Sequence, residues 1–211
     1  MNDSINSIRL KGRIVSPPVY DHSLFGEAFY KMKVGAKRLS GTEDVLPVTV
    51  SERLLPHTVF DAEEGARVDI SGQIRSYNQR SDNGNHLIIT VFARRFAMAD
   101  GSEEEYGDVN EAELTGRVCK PVIYRTTPFS REIADILFAV NRRYGKSDYL
   151  PVIAWGRNAR FSKELLCGDA LHIRGRMQSR CYQKALPEGV FEQRTAYEIS
   201  CSSIERHETL D

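Results

Sequence analysis

The sequence predicts an all-β chain of two tandem five-stranded Greek-key barrels, each with one short helix between its third and fourth strands. Three observations carry that expectation. The two halves of the chain repeat each other, the repeated segments alternate apolar and polar residues with a period of two, and in each half a short helical stretch follows the third such segment.

The repeat organises the rest. A shift of 104 residues places Gly12-Arg13 on Gly116-Arg117, Pro17 on Pro121, Tyr20 on Tyr124, Arg38 on Arg142, Asp44 on Asp148, and "LPV" at 46–48 on "LPV" at 150–152. After one residue is dropped, a shift of 103 places Gly65, Ile70, Gly72 and Ser76 on Gly168, Ile173, Gly175 and Ser179. A shared register with a single gap marks a tandem duplication. The domains are then 1–100, an acidic linker at 101–108, a second barrel at 109–206 and a short tail at 207–211. Residues 100–113 carry seven acids, no base and two glycines, and read as a solvated linker running into the next strand.

Taken in order, each half opens with a strand (about 5–15 and 109–119) followed by a turn around proline. The second strands (28–38 and 132–142) depend on the repeat. "REIADILFAV" at 131–140 fits an amphipathic helix equally well, but its counterpart "EAFYKMKVGA" at 27–36 alternates Tyr30, Met32, Val34 and Ala36 against Lys31 and Lys33, so both are strands. Third strands (45–51 and 149–155) lead into helical stretches at 52–62 and 157–166, the latter ended by Gly168. The fourth strands (66–77 and 170–182) carry mid-strand Gly72 and Gly175 where a small barrel must bend. Fifth strands at 86–98 and 194–204 complete the order of an OB-fold, a partly open Greek-key barrel.

Composition narrows the function. Apolar residues make up 41% and charged residues 27%, no apolar run approaches the roughly 18 residues of a membrane span, and the N-terminus "MNDSINSIRLKG" has no export signal. A cytoplasmic protein is expected. Cys119, Cys167, Cys181 and Cys201 lack CxxC spacing and are expected to be reduced and mostly buried, without a metal. No paired carboxylates, nucleophile elbow or glycine-rich phosphate loop points to an enzyme or a cofactor. Asp44 and Asp148, ahead of "LPV", read as turn formers, and Tyr20 and Tyr124, beside proline, as structural turn residues.

The charge is unevenly placed. The chain has 29 basic and 29 acidic residues, yet residues 117–184 hold 14 lysines and arginines against 5 acids, a formal +9. Aromatics interleave with that charge. "NRRYGKSDYLPVIAWGRNAR" (141–160) combines Arg142, Arg143, Tyr144, Lys146, Tyr149, Trp155, Arg157 and Arg160, and "RGRMQSRCYQK" adds Arg174, Arg176, Arg180, Tyr182 and Lys184. A cationic groove with rings at its edges suits single-stranded nucleic acid, whose unpaired bases stack while phosphates meet cations. Trp155 on a strand has a second reading, as core.

"PVIAWGRNA", "GDALHIRGRMQSRCYQ" and "RTAYEIS" resemble the bacterial single-stranded DNA-binding protein family, over essentially all of 109–206. The resemblance implies that Tyr144, Tyr149, Trp155 and Tyr182 stack on bases, and the clustered charge adds Arg142, Arg143, Arg157, Arg176 and Arg180 as residues lining the groove. The first half is similar to the family through "GRI", "LPVTVSE" and "GARVDISGQIRSYN". Ser51 and Ser40 stand there where Trp155 and Tyr144 stand in the second half, which leaves Tyr77, Arg38 and Arg75 as its contacts. The resemblance also implies a homodimer bringing four barrels together, and roles in DNA replication, recombination or repair. The acidic, phenylalanine-tipped tail of the family has no counterpart in "SSIERHETLD". A double-barrel accessory module that binds protein partners or RNA is the alternative. An enzyme centred on the cysteines is a third reading.

Overall fold

The computed structural model of the chain describes residues 4–81, 84–99, 107–185 and 191–207. Most of the predicted linker (101–106) and of the tail (208–211) lies outside the described residues.

Two closed barrels form. The first consists of β1 (Asn6–Leu24), β2 (Glu27–Lys37), β3 (Glu43–Ser51), β4 (Arg67–Ser81) and β5 (Gly84–Met98). The second consists of β6 (Val109–Val118), β7 (Ile123–Thr126), β8 (Glu132–Asn141), β9 (Ser147–Trp155), helix α1 (Arg157–Ser162), β10 (Ala170–Ala185) and β11 (Phe191–Arg206). In the first barrel β1 pairs with both β2 and β4, and β5 bridges β4 to β3. β6, β8, β9, β11 and β10 close the second in the same way. The segment 131–140 is a strand, as the repeat required.

Alternation builds the two cores in register. Leu10, Val34, Leu46, Ile70 and Ile74 are buried in the first barrel, and their counterparts Leu114, Phe138, Leu150, Ile173 and Met177 in the second. Burying each such side chain contributes roughly 1.5–3 kcal/mol. Gly72 and Gly175 sit at matching register shifts, and a Cβ on either would lie 2.2 Å from the carbonyl oxygen of Phe92 or Ser200. The partner strand therefore approaches as closely as a missing side chain permits.

Two details depart from the sequence expectation. Pro17 and Pro18 do not turn the first strand, because β1 runs on to Leu24 and absorbs them in register shifts between Ile14 and Val19. The second barrel breaks at the corresponding point, and its outer piece is β7. The helical stretch at 52–62 is only two short 3-10 turns, Glu52–Leu54 and His57–Val59, whereas α1 is a true α-helix. Among the described residues no helix is long and apolar enough to cross a membrane.

The barrels are joined edge to edge. β1 and β6 pair antiparallel from Asn6↔Leu114 to Lys11↔Val109, so the sheet continues from one barrel into the other about a pseudo-two-fold axis. Asp44 and Asp148, read as turn formers, are fully buried and stitch this seam. Asp148 accepts from the Ser76 backbone N–H (2.6 Å) and from Arg75 (3.0 Å), with Arg142 at 3.1 Å. Asp44 accepts from the Ser179 N–H (2.9 Å) and from both Arg38 nitrogens (2.8 and 2.6 Å), with Arg176 at 3.9 Å. The two serines complete the stitch: Ser76 Oγ accepts from the Tyr149 N–H (2.7 Å) and Ser179 Oγ from the Val45 N–H (3.1 Å). Each barrel thus inserts an aspartate into the fourth strand of the other. Asp108, placed in the linker, is also held, paired with Arg67 at 2.6 Å and accepting from the Lys37 N–H at 2.6 Å.

Removing one carboxylate leaves two arginines and an amide without their acceptor in a buried site. Asp148→Ala is expected to cost ~3–5 kcal/mol in urea unfolding, the range for breaking one side of a buried ion pair. A loss under ~1 kcal/mol would show that the seam does not depend on it.

Candidate nucleic-acid interface

Strand parity presents the rings. On β9, Leu150, Val152 and Ala154 point into the core, so Tyr149 and Trp155 fall on the outer face. Trp155 is 40% exposed and is not core. Tyr144 is 96% exposed at the tip of the β8–β9 hairpin, where its φ of 64° and that of Gly145, 66°, make the reversal. Tyr182 is exposed on the outer part of β10 with Arg180 over its ring at 5.7 Å, and Tyr77 is exposed on β4. The first barrel differs where the sequence differs. Ser51, in the place of Trp155, is buried and accepts from the Arg53 N–H at the start of a 3-10 turn.

These rings do not form one cluster. Tyr144 precedes β9 and Trp155 ends it, so a strand of nine residues at about 3.3 Å each separates them. Tyr149 lies between, its backbone bonded to Ser76 and so next to Tyr77 in sequence on the facing strand. The arrangement is a line of exposed rings along the hairpin, passing the seam. Tyr77 also lines a mostly apolar cleft with Val19, Lys31, Leu87 and, from the other barrel, Tyr197.

The predicted arginines divide into two groups. Arg38, Arg75, Arg142 and Arg176 are half-buried and hold the seam aspartates. Burial, and then the neighbouring Arg38, push the Arg176 guanidinium below its usual range, while the bidentate bond to Asp44 raises that of Arg38. Arg143 and Arg157 are exposed, and Arg180 lies 3.8 Å from Glu198. Beside the seam, Arg75, Arg142, Arg143, Tyr144 and Lys146 meet Arg94 from β5 in an open cleft. The sequence singled out every one of these except Arg94.

Other expectations are corrected. Tyr20 and Tyr124 lie on β1 and β7 rather than in turns, with Tyr124 donating to Glu132 at 2.6 Å. The cysteines are not mostly buried: Cys167 and Cys181 are exposed, Cys119 is intermediate, and only Cys201 is buried, where desolvation pushes its thiol up to about 12. Among the described residues no group of three His, Cys, Asp or Glu is placed to hold a metal ion. Phe25 and Phe129, at matching hairpin tips, are almost fully exposed and were not singled out.

Two OB barrels, joined along their first strands and edged with exposed rings, define a tandem OB-fold protein. Residues 109–207, the C-terminal barrel, match the Single-strand binding protein family. Single-stranded DNA-binding protein 1 of Staphylococcus aureus (strain COL) is 30% identical over 104 residues, covering 46% of this chain and 60% of that protein. Single-stranded DNA-binding protein 2 of Staphylococcus aureus (strain MSSA476) matches to the same extent. The chain thus spans about 60% of the length of these relatives. The crystal structure of the wild-type single-stranded DNA binding protein from Thermus aquaticus superposes with a TM-score of 0.77 at 20% identity, over 98% of this chain and 94% of that one. That likeness extends the two-barrel fold to the whole chain.

Two measurements check the site as built. Trp155→Ala is expected to cost well under the ~3–5 kcal/mol of a core tryptophan in a thermal melt. Maleimide at neutral pH should modify Cys167 and Cys181 within the folded protein and spare Cys201 until it unfolds, read by peptide mass.

Proposed function

We propose that the chain binds single-stranded DNA without sequence preference, bases stacking on Tyr144, Tyr149, Trp155 and Tyr182 while phosphates meet the flanking cations. The observation that carries this is the line of exposed rings on the barrel that matches the family. Exposed rings on strands are unfavourable to leave in water, and a base is the ligand whose flat apolar face suits each of them. Each stack contributes ~1–3 kcal/mol and tolerates any base, since every base has a π-face. Arg143 and Arg157, exposed, and Arg180 beside its ring, supply the phosphate contacts.

The first barrel contributes less by this reading, having a buried serine and an exposed one where the second has Trp155 and Tyr144. Arg38 and Arg75 serve the seam first, and Tyr77 is its one ring in play. The protein protects single strands during replication, recombination or repair, as a homodimer that presents four barrels. The pseudo-two-fold seam supports the last point only in showing how two such barrels join.

Competition decides the ligand. Oligo-dT should be bound far more tightly than duplex of equal length, because paired bases cannot stack on protein. Equal competition would refute the reading. Trp155→Ala should weaken binding by ~1–3 kcal/mol with the slope of log affinity against log salt nearly unchanged, as an indole releases no counterion. Light scattering should give a dimer at micromolar concentration, and a stable monomer would remove the four-barrel assembly.

A further inference from the structure

The pseudo-two-fold axis of the seam generates two equivalent clefts, and they are not alike. One gathers Arg142, Arg143, Tyr144 and Lys146 with Arg75 and Arg94 from the other barrel, and among the described residues no carboxylate lines it. Its counterpart is lined by Arg38, Arg176 and Lys37 together with Asp44, Asp108 and Glu111. The seam ion pairs are common to both, one buried aspartate with two arginines each. What distinguishes the clefts lies outside those pairs. Applying the repeat, Arg143, Tyr144 and Lys146 become Leu39, Ser40 and Thr42. Strand pairing around the matching register shifts likewise turns Arg94 into Ser202.

Arg94, Arg143 and Lys146 are exposed and have no ion pair among the described residues; Arg94 touches only the Gln73 amide oxygen, at 3.3 Å, and lies over the Phe92 ring. Three unneutralised cations thus converge on one cleft from two barrels, beside a fully exposed ring held in a left-handed backbone conformation by the hairpin. Like charges are not brought together in the free protein for stability, so the cleft is built for a polyanion. The ring favours one that also carries flat apolar groups.

We propose that this cleft, and not its pseudo-equivalent, is where a single strand crosses from the C-terminal barrel to the N-terminal one, its phosphates on Arg94, Arg143 and Lys146 and a base on Tyr144. The inference rests on the single-strand reading above. It makes the path across the two barrels one-sided: a strand leaving β9 passes the seam on the Arg94 side.

The test uses the full chain, titrated at several salt concentrations with oligo-dT of about 12 nucleotides, within the ~4–16 that one OB-fold covers, and of about 30. Arg94→Ala with Lys146→Ala should lower the salt slope on the longer oligonucleotide by about 0.7 for each phosphate that is no longer neutralised, and lower it less on the shorter. Introducing Leu39→Arg with Thr42→Lys into the other cleft should not restore it. If the truncated pair lowers the melting temperature, Arg94→Gln with Lys146→Gln removes the charge while keeping a polar side chain with part of the aliphatic stem, and serves instead. An unaltered slope on the longer oligonucleotide overturns the crossing, and leaves the single-strand reading standing so long as the unsubstituted chain binds. Failure of the unsubstituted chain to bind either oligonucleotide instead removes the parent reading. Polyglutamate that binds the unsubstituted chain but not the double variant, with oligo-dT slopes unmoved, would assign the cleft to an acidic protein segment and overturn the proposal.

Discussion

The antiparallel pairing of β1 with β6, locked by Asp44 and Asp148, is the constraint on which the rest of the molecule depends. A sheet edge is indifferent to register unless something penalises a slip, and a one-residue slip turns every side chain to the opposite face. Here the penalty is large. Moving β6 along β1 would carry each aspartate away from the serine amide and the arginines that neutralise it, leaving a buried charge bare. The stitch therefore specifies geometry more than it adds stability. It also fixes where the β8–β9 hairpin lands, against β4 of the other barrel, and so places Tyr149 beside Ser76.

The same stitch reapportions the charge. Of the seven arginines expected to contact DNA, four are turned inward on two carboxylates and three remain exposed. A formal +9 over residues 117–184 counts charges along the chain, but the field outside the protein depends on which are already neutralised. Arg94, which lies outside that stretch, counts fully because no carboxylate among the described residues pairs with it.

Much of this was legible in the residues. Duplication revealed the strand at 131–140, whose own pattern suits a helix, because both copies must fold alike. The face of Trp155 was not settled in the sequence, where core remained a second reading, and parity on β9 turns it and Tyr149 outward once Leu150 and Val152 are inward. The role of Asp44 and Asp148 was not legible, although both they and Ser76 and Ser179 stood in the repeat. An aspartate before a strand has a local explanation, and only the contact between barrels, some 70 to 135 residues away in sequence, shows the other. Arg94 was missed for a similar reason, its cleft being made by two chain segments that share no pattern. A helical stretch was expected in both halves, and here the copies differ, since the Ser51 cap is followed by turns too short to propagate.

Joining the barrels in one chain, with Asp108 pinned to Arg67 just before β6, has a consequence that concerns concentration. Separate barrels would meet through a second-order equilibrium, and dilution would part them. Tethered, the seam closes at an effective concentration of order millimolar set by the short connection, whatever the protein's abundance. The tether also lifts a symmetry. In a pair of identical subunits every substitution appears twice, so a residue useful on one side must be tolerated on the other. Once the two copies are encoded separately that coupling is gone, and Tyr144 can be a ring while Ser40 stays small.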